Sequence, residues 1–281
     1  MLTVIVWSAW TVATSHAIKT SMTAFDLALF RYGIPACVLA PVILRHGLKA
    51  GAMGWRGTLL MGLGAGLPFQ ILIGIGMRWS PAANAGAMLS GTMPMFAALL
   101  SGIVLGERFT MARIGGFALI LGGVGLLGLF SALAGAHAQW HGYLVLMAAA
   151  ASWAIYTVTM KRAGVSALHA TAIVSAVALM CDVGAIALGA PSRVMHASLS
   201  EVAMQVVAQG LFAGLLGMTL FAYGVRQLGA SRAAAFISLI PGVVALMAVP
   251  LLGETIGIEA IAGIAVVSVG VALASGAFEK A

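Results

Sequence analysis

Two prolines stand at matching positions in two long apolar segments of the chain. Pro94 and Pro241 have no N–H group, so inside a helix each removes the hydrogen bond to the carbonyl group four residues earlier. Hydroxyl groups stand beside both prolines, from Ser90 and Thr92 in one segment and from Ser238 in the other. Freed carbonyls and hydroxyls can hydrogen-bond a polar solute, and broken helices often mark such sites. The same prolines could instead only kink two helices, with neighbouring groups satisfying the backbone.

Three aromatic residues are candidates for stacking on an apolar or aromatic solute. Trp10, Trp153 and Tyr156 lie within apolar segments rather than at segment ends, where membrane proteins usually gather their aromatic residues. Rings in such places either line a cavity or fill ordinary packing space. Both interpretations stay open from the sequence, and the three residues are predicted contacts of a bound solute.

One acid, Asp182, falls deep within an apolar segment. Burial disfavours its charged form, so it could carry a proton, or it could face a polar pocket or a partner. His16, in the first apolar segment, is a weaker candidate of the same kind. The six histidines are scattered, without the clustered spacing of a metal or acid–base site. The pattern therefore predicts no enzyme, no metal site and no cofactor.

The composition places these residues in a membrane. Hydrophobic residues make up 62% of the chain and charged residues only 7%, whereas soluble domains carry about a quarter charged residues. A helix needs roughly 20 apolar residues to cross a bilayer. Ten runs are long enough, or nearly so, and predict an all-α integral membrane protein with ten transmembrane helices. The runs lie near 2–18, 27–44, 57–77, 82–105, 114–130, 142–160, 170–190, 202–225, 233–252 and 258–277. Cys37 and Cys181 fall inside these runs and are expected to be buried thiols.

The positions of the basic residues predict the orientation. With the N-terminus inside, ten Lys or Arg residues fall on the cytoplasmic side and three on the other, as membrane proteins prefer. The cytoplasmic ten are Arg45, Lys49, Arg56, Arg108, Arg113, Lys161, Arg162, Arg226, Arg232 and Lys280, against Lys19, Arg78 and Arg193. Both termini should therefore be cytoplasmic. The net charge of +7 is explained by this bias and does not indicate nucleic acid.

The two halves of the chain repeat one another. The third and eighth segments match at an offset of 148 residues, and the fourth and ninth match at 147. Matched pairs include Trp10 with Trp153, Gly62 with Gly210, Gly66 with Gly214, Pro94 with Pro241, and Glu107 with Glu254. A unit of five helices crosses an odd number of times, so its second copy must enter the membrane upside down. Residues 1–131 and 142–281 are therefore predicted to be two inverted five-helix repeats. The GxxxG spacing of the paired glycines predicts close helix packing.

Each half ends with a helix that carries a central proline, a Gly-Glu pair, a short loop and a Gly-rich helix. This signature, Pro94 with Gly106-Glu107 and Pro241 with Gly253-Glu254, is joined by LALFRY around Arg31 and by a tryptophan near the start of each half. The chain resembles the drug/metabolite transporter superfamily, in its ten-helix EamA-domain branch of exporters. The resemblance covers nearly the whole chain. It implies a 5+5 helix bundle in the bacterial inner membrane and export of amino acids, other metabolites or drugs.

Elimination narrows the substrate that the resemblance leaves open. Small multidrug pumps of the superfamily exchange protons for cations through an acid in the first helix, and neither 2–18 nor 142–160 contains one. Sugar-phosphate carriers need basic groups at depth, and the only candidate, Arg31, is expected well off the midplane, where Asp26 could neutralise it. We therefore expect a secondary transporter that exports a neutral or zwitterionic metabolite, with amino acids the leading class and protons a candidate coupling ion. Multidrug efflux of hydrophobic compounds and a membrane protein without transport activity are the alternatives.

Overall fold

The computed structural model describes residues 1–221 and 236–276, apart from the side chain of His137. These residues form helices joined by short loops, with one isolated bridge between Ala50 and Gly54. Single turns of 3-10 helix cover Gly51–Met53 and Val194–His196. The helices are α1 (Leu2–Thr20), α2 (Ala24–Val38), α3 (Ala40–His46), α4 (Gly54–Ala65), α5 (Leu67–Trp79), α6 (Ala82–Leu105), α7 (Met111–Leu133), α8 (His137–Ala163), α9 (Ala167–Ala187), α10 (Leu199–Gln205), a π-helix (Val206–Gly217), α11 (Ile240–Leu252) and α12 (Ile258–Ala274).

The described helices fit a membrane protein. Six stretches are long and apolar enough to cross a bilayer, and α2 with α3, which meet at a bend of 59°, would make a seventh. Helices α11 and α12 are apolar but shorter. The predicted segments 202–225, 233–252 and 258–277 lie partly outside the described residues. The prediction of an all-helical membrane protein is confirmed for the described chain, while the count of ten crossings stays a prediction.

Contacts between loops assign the helix ends to two opposite ends of the bundle. At one end, which we call the Lys161 end, Lys161 forms an ion pair with Glu107. At the other, the Lys19 end, Lys19 lies 3.5 Å from Glu254. Contacts between loops assign the other helix ends in the same way. For example, the His169 ring contacts the Gly47 carbonyl group, and both residues lie at the Lys161 end. The loops at the Lys161 end are 46–54, 105–111 and 163–167, and those at the Lys19 end are 20–24, 79–82, 133–137, 187–199 and 252–258.

Glycines bring the helices into close contact. A Cβ atom added at Gly62 would lie 2.9 Å from Val177 on α9, and one at Gly210 would lie 2.2 Å from the Ile34 side chain on α2. Gly214 likewise faces Pro35. The close packing that the GxxxG spacing predicts is therefore present, and in each case a glycine of one half of the chain faces a helix of the other half.

The two cysteines do not occupy the buried positions that we expected. Cys37 and Cys181 are free thiols on exposed faces of α2 and α9. An apolar run alone does not distinguish the lipid-facing side of a helix from the packed side, because both are apolar in a membrane protein. Both thiols therefore belong to the outer surface of the bundle.

Candidate functional site

A partly open cavity lies between helices from both halves of the chain. Its wall combines three aromatic residues, one arginine, one serine, one threonine and a set of apolar or small residues. The residues of this wall are Arg31, Tyr32, Ala65, Trp153, Tyr156, Thr171, Val174, Ser175, Ala213, Gly214 and Met218. Thr171 lies near the start of α9, so the cavity runs from the middle of the bundle towards the Lys161 end.

A broken helix forms one side of this cavity. Helix α4 ends at Ala65, the backbone leaves the helical conformation at Gly66, and α5 begins at Leu67 with a proline, Pro68, in its first turn. Because Pro68 has no N–H group and Gly66 leaves the helical conformation, carbonyl groups at the end of α4 lose their helical donors. Such a break within a bilayer needs other donors, since no water is present to satisfy the backbone.

Two hydroxyl groups from neighbouring helices supply these donors. The Tyr32 hydroxyl lies 2.8 Å from the carbonyl oxygen of Ala65 and donates to it, and it lies 2.9 Å from that of Gly66, which also accepts from the Gln70 N–H group. The Ser152 hydroxyl on α8 donates in the same way to the Gly64 carbonyl at 3.0 Å. The broken helix, α2 and α8 are thus joined by hydrogen bonds at the cavity wall.

Aromatic rings make one face of the cavity. The ring centroids of Trp153 and Tyr156 are 5.0 Å apart, and that of Phe69 lies 5.1 Å from Trp153. Tilted pairs at this spacing are favourable beyond the area they bury. Trp153 and Tyr156, two of the predicted contacts of a solute, both lie on the cavity wall, and their contact with a solute stays a prediction. Trp10 is not on the wall but lies behind it, beneath Arg31.

Arg31 occupies a place that we did not expect from the sequence. Its side chain is buried, with 8% of the residue exposed, and its guanidinium carbon lies 4.5 Å from the Trp10 ring centroid. Asp26 does not neutralise it, because the Asp26 carboxylate accepts hydrogen bonds from Ser192 and from the backbone of Arg193. The expected Asp26–Arg31 pair is therefore wrong, and Arg31 instead lines the cavity. The two residues are five positions apart on the helix, outside the three- and four-residue spacings that bring side chains together, so each faces a different neighbour.

Glutamines hold the residues behind the cavity. Trp10 Nε1 donates to Gln209 Oε1 at 2.6 Å, and Gln209 Nε2 donates to Thr14 Oγ1 at 2.8 Å and to Gln205 Oε1 at 3.1 Å. Gln209 is fully buried with its amide satisfied, so the network fixes α1 against the π-helix. These glutamines were not among the site residues predicted from the sequence. An uncharged amide inside an apolar segment was the signal that could have found them.

The residues around the two prolines lie elsewhere. Pro94 sits inside the uninterrupted helix α6, while Pro241 is in the first turn of α11, after a turn at 238–239. Pro241 is therefore not mid-helix as predicted, because the helix is interrupted at 238–239 and restarts at Ile240. The Thr92 hydroxyl donates to the Met88 carbonyl of its own helix at 2.5 Å. The residues of this predicted set, none of which lies on the cavity wall, are Ser90, Thr92, Pro94, Ser238 and Pro241.

Asp182 lies on the face of α9 that continues the cavity wall. Positions 175, 178 and 182 follow helical spacing, and the distance from Ser175 to Asp182 along the axis is about 10 Å. Asp182 is fully buried, and neither carboxylate oxygen has a hydrogen-bond partner. His16 is half-buried on α1, close to the Lys19 end. Neither side chain lines the cavity, so their proposed role in proton coupling would act at a distance from the bound solute.

The comparisons with known proteins agree with this architecture. A model described as the EamA-like transporter family matches residues 1–129 and again residues 140–276. The chain belongs to the EamA-like transporter family. It is similar to a protein named "Probable terminal-alkyne amino-acid exporter" from Streptantibioticus cattleyicolor, with 26% identity over 268 residues, covering 90% of this chain and 84% of that protein. A solved crystal structure shares the fold, with a TM-score of 0.62 and 24% identity over 97% of this chain and 96% of its own.

Membership of the EamA-like family makes this chain a multi-pass membrane transporter, as its Pro and Gly-Glu signature implied. A transporter uses a cavity between its helices to hold a small-molecule solute, and the wall described above is of that kind. Among residues 1–221 and 236–276, no group of three metal-ligating side chains comes together.

The hydroxyl groups at the broken helix generate a prediction about stability. Tyr32→Phe leaves the Ala65 and Gly66 carbonyls without this donor, and we expect it to lower the free energy of unfolding by about 1–3 kcal/mol. Thermal unfolding in detergent measures the change, and Ser152→Ala should act in the same direction. Thr157→Val is the control, because its hydroxyl donates only to the Trp153 carbonyl of its own helix. Equal melting temperatures for wild type and Tyr32→Phe would contradict this role of the hydroxyl.

Proposed function

We propose that this protein is a secondary transporter that exports a small neutral or zwitterionic metabolite by alternating access, with amino acids the leading class of substrate. The observation that carries the proposal is the cavity between the two halves of the chain, with aromatic rings on one face and hydroxyl groups on another. A cavity wall with an apolar face and a few polar groups suits a small solute that has one apolar part and one polar part.

The walls of the cavity support an inverted repeat. Ala65 and Ala213 occupy matched positions in the two halves, at the offset of 148 residues, and both line the cavity. In transporters built from inverted repeats, the substrate lies where the repeats meet, and one repeat moves against the other to expose it on alternate sides. We propose that 1–131 and 142–281 are such repeats, with ten crossings in all.

Two ion pairs support the alternation. Glu107 and Glu254 are matched residues, and each pairs with a lysine in the last turn of the first helix of the opposite half. Glu254 also accepts hydrogen bonds from the backbone N–H groups of Ala82 and Ala83. We propose that the Lys161–Glu107 pair closes one end of the bundle and the Lys19–Glu254 pair closes the other, and that they open in turn.

The substrate class draws support from the relative named as a terminal-alkyne amino-acid exporter and from the chemistry of the wall. Ser175 and Thr171 offer hydroxyl groups, while Trp153 and Tyr156 offer rings for an apolar side chain. The same rings also favour the second candidate, efflux of hydrophobic compounds. Direct measurement of transport distinguishes the two candidates from each other and from a membrane protein that moves no solute.

We place the protein in the bacterial inner membrane, with both termini in the cytoplasm and the Lys161 end facing the cytoplasm. The support is the charge bias of the loops, since Lys161, Arg108 and Arg45 lie at that end. Arg226, Arg232 and Lys280, which contribute to the bias, lie outside the described residues. The cavity then runs towards the cytoplasm, the side from which an exporter takes its substrate.

Counterflow in proteoliposomes tests the proposed function. Vesicles loaded with an unlabelled amino acid should accumulate labelled L-propargylglycine and labelled L-leucine, and should not accumulate ethidium. Ser175→Phe places a ring in the cavity and should reduce counterflow at least tenfold, because Ser175 is buried on the cavity wall. Val183→Phe, on an exposed face of the same helix, should transport like wild type. Accumulation of ethidium alone would favour drug efflux, and no accumulation of any solute would contradict transport.

Cysteine labelling tests the two ion pairs. Ser175→Cys is placed in a Cys37→Ala, Cys181→Ala background, because both native thiols are exposed. Adding Lys161→Gln should increase labelling by an impermeant thiol reagent from the Lys161 side, and adding Lys19→Gln should increase it from the opposite side. Exposed ion pairs contribute about 0.2–1 kcal/mol, so the expected increase is at most roughly fivefold. Labelling that changes equally from both sides, or in neither variant, would exclude these pairs as gates.

Asp182 remains our proposed proton carrier, with His16 the weaker candidate. The carboxylate is buried, and neither of its oxygens has a hydrogen-bond partner. An acid so placed has a reason to take up a proton, since burial penalises its charge.

Asp182→Asn keeps the shape of the side chain but cannot release a proton. We expect the variant to lose the response of amino-acid flux to an imposed pH gradient while counterflow, which needs no gradient, continues. His16→Gln is the parallel variant and should keep the response. If Asp182→Asn responds to the gradient as wild type does, Asp182 is a structural acid and the protein is not coupled through it.

A further inference from the structure

The charge of Arg31 has no counterpart in the described protein. Its Nη1 atom has no hydrogen-bond partner, and the rings of Trp10, Phe69 and Tyr32 lie at 4.5, 5.7 and 6.0 Å from its guanidinium carbon. Contact with aromatic faces stabilises a cation by about 0.5–2 kcal/mol. An ionised group inside a membrane protein usually has an anionic partner or faces a water-filled cavity, and Arg31 lines the cavity.

Every acid in the described part of the chain is accounted for without Arg31. No carboxylate oxygen in residues 1–221 and 236–276 lies within 4 Å of its guanidinium nitrogens. Five of the six acids are held elsewhere or lie at helix starts, and the sixth, Asp182, has no hydrogen bond at all. The five are Asp26 at Ser192 and Arg193, Glu107 at Lys161, Glu201 at Ser198, Glu254 at Lys19, and Glu259 in the first turn of α12. The stretch 222–235 contains no acid, and the one acid outside the described residues is Glu279.

We propose that Arg31 binds the carboxylate of the transported solute and so restricts the cavity to solutes that carry one. The inference rests on the proposed transport function and narrows its substrate class, because it excludes compounds that lack a carboxylate group, whether they are uncharged or cationic. A guanidinium group matches a carboxylate through two parallel hydrogen bonds and stays charged at any physiological pH. Arg31 is the one cation on the described wall, which suits a single negative charge.

The rest of the wall fits the remainder of such a solute. The rings of Trp153 and Tyr156 and the Val174 side chain offer apolar contact for a short side chain, and Ser175 and Thr171 offer hydroxyl groups to polar atoms. The faces of the rings also attract an ammonium group. An α-amino acid therefore meets each part of the wall with a matching group, with its carboxylate at the deep end of the cavity.

Three probes that share one carbon chain test the inference. L-propargylglycine carries both the carboxylate and the ammonium group, pent-4-ynoate carries the carboxylate alone, and L-propargylglycine amide carries the ammonium group alone. Thermal stabilisation of the purified protein in detergent measures binding, and counterflow in proteoliposomes measures transport. We expect wild type to bind L-propargylglycine, and pent-4-ynoate to compete with it, while the amide does neither.

Two variants at Arg31 and one control complete the design. Arg31→Gln removes the charge and should weaken binding of L-propargylglycine roughly ten- to hundredfold. Arg31→Lys keeps the charge but loses the two parallel N–H donors, and its affinity should lie between those of wild type and Arg31→Gln. Arg45→Gln, on an exposed position of α3, should bind like wild type. Removing an unpaired buried charge should not lower the melting temperature of ligand-free Arg31→Gln, so loss of binding is separable from unfolding.

The outcomes separate the inference from the proposed function. Binding of the amide as tight as that of the amino acid, or unchanged binding in folded Arg31→Gln, would overturn the role of Arg31 and leave transport standing. Protection by chloride at the same ionic strength, equal to that by pent-4-ynoate, would also overturn it, because the site would then accept any anion. Carboxylate-dependent binding without counterflow would contradict transport and leave the assignment of Arg31 intact.

Discussion

The absence of water inside a bilayer governs this structure, because every backbone N–H and C=O group must find its partner within the protein. The break between α4 and α5 shows how the chain meets this constraint. Gly66 and Pro68 end one helix and start another beside the cavity, and hydroxyl groups from α2 and α8 take up the freed carbonyl groups. An irregular backbone can therefore border the cavity without leaving unsatisfied groups in the apolar interior.

The same constraint favours a hydrogen-bond partner for each polar side chain in the interior, so that buried polar atoms without one are exceptions. Gln209 has its amide fully engaged by Trp10, Thr14 and Gln205. Arg31 and Asp182 differ from it, since each has polar atoms with no partner in the described protein. One of them lines the cavity and the other lies on the helix face that continues its wall, which is why we connect the first with the solute and the second with a proton.

Small residues make the cavity possible by letting helices from the two halves approach closely. Gly62 packs against α9, and Gly210 and Gly214 pack against α2, so glycines of each half contact a helix of the other half. The ion pairs also connect the two halves. At each end of the bundle, a lysine of one half pairs with the glutamate of the Gly-Glu motif of the other half. This reciprocal arrangement suits a protein in which the two halves move against one another, since a contact broken at one end has a counterpart at the other.

The sequence alone was sufficient to predict the helical membrane architecture and the family, because apolar run length and the Pro and Gly-Glu signature are local properties of the chain. The sequence also drew attention to Trp153 and Tyr156, because they lie within an apolar segment rather than at its end. The location of the cavity could not be read in this way. Pro94 breaks no helix, whereas Gly66 and Pro68 do, and Arg31 lies against Trp10 rather than Asp26. The groups that surround a freed carbonyl or a buried charge come from residues far apart in the chain. Only tertiary packing brings them together, so the sequence does not show which of these groups find a partner and which line a cavity.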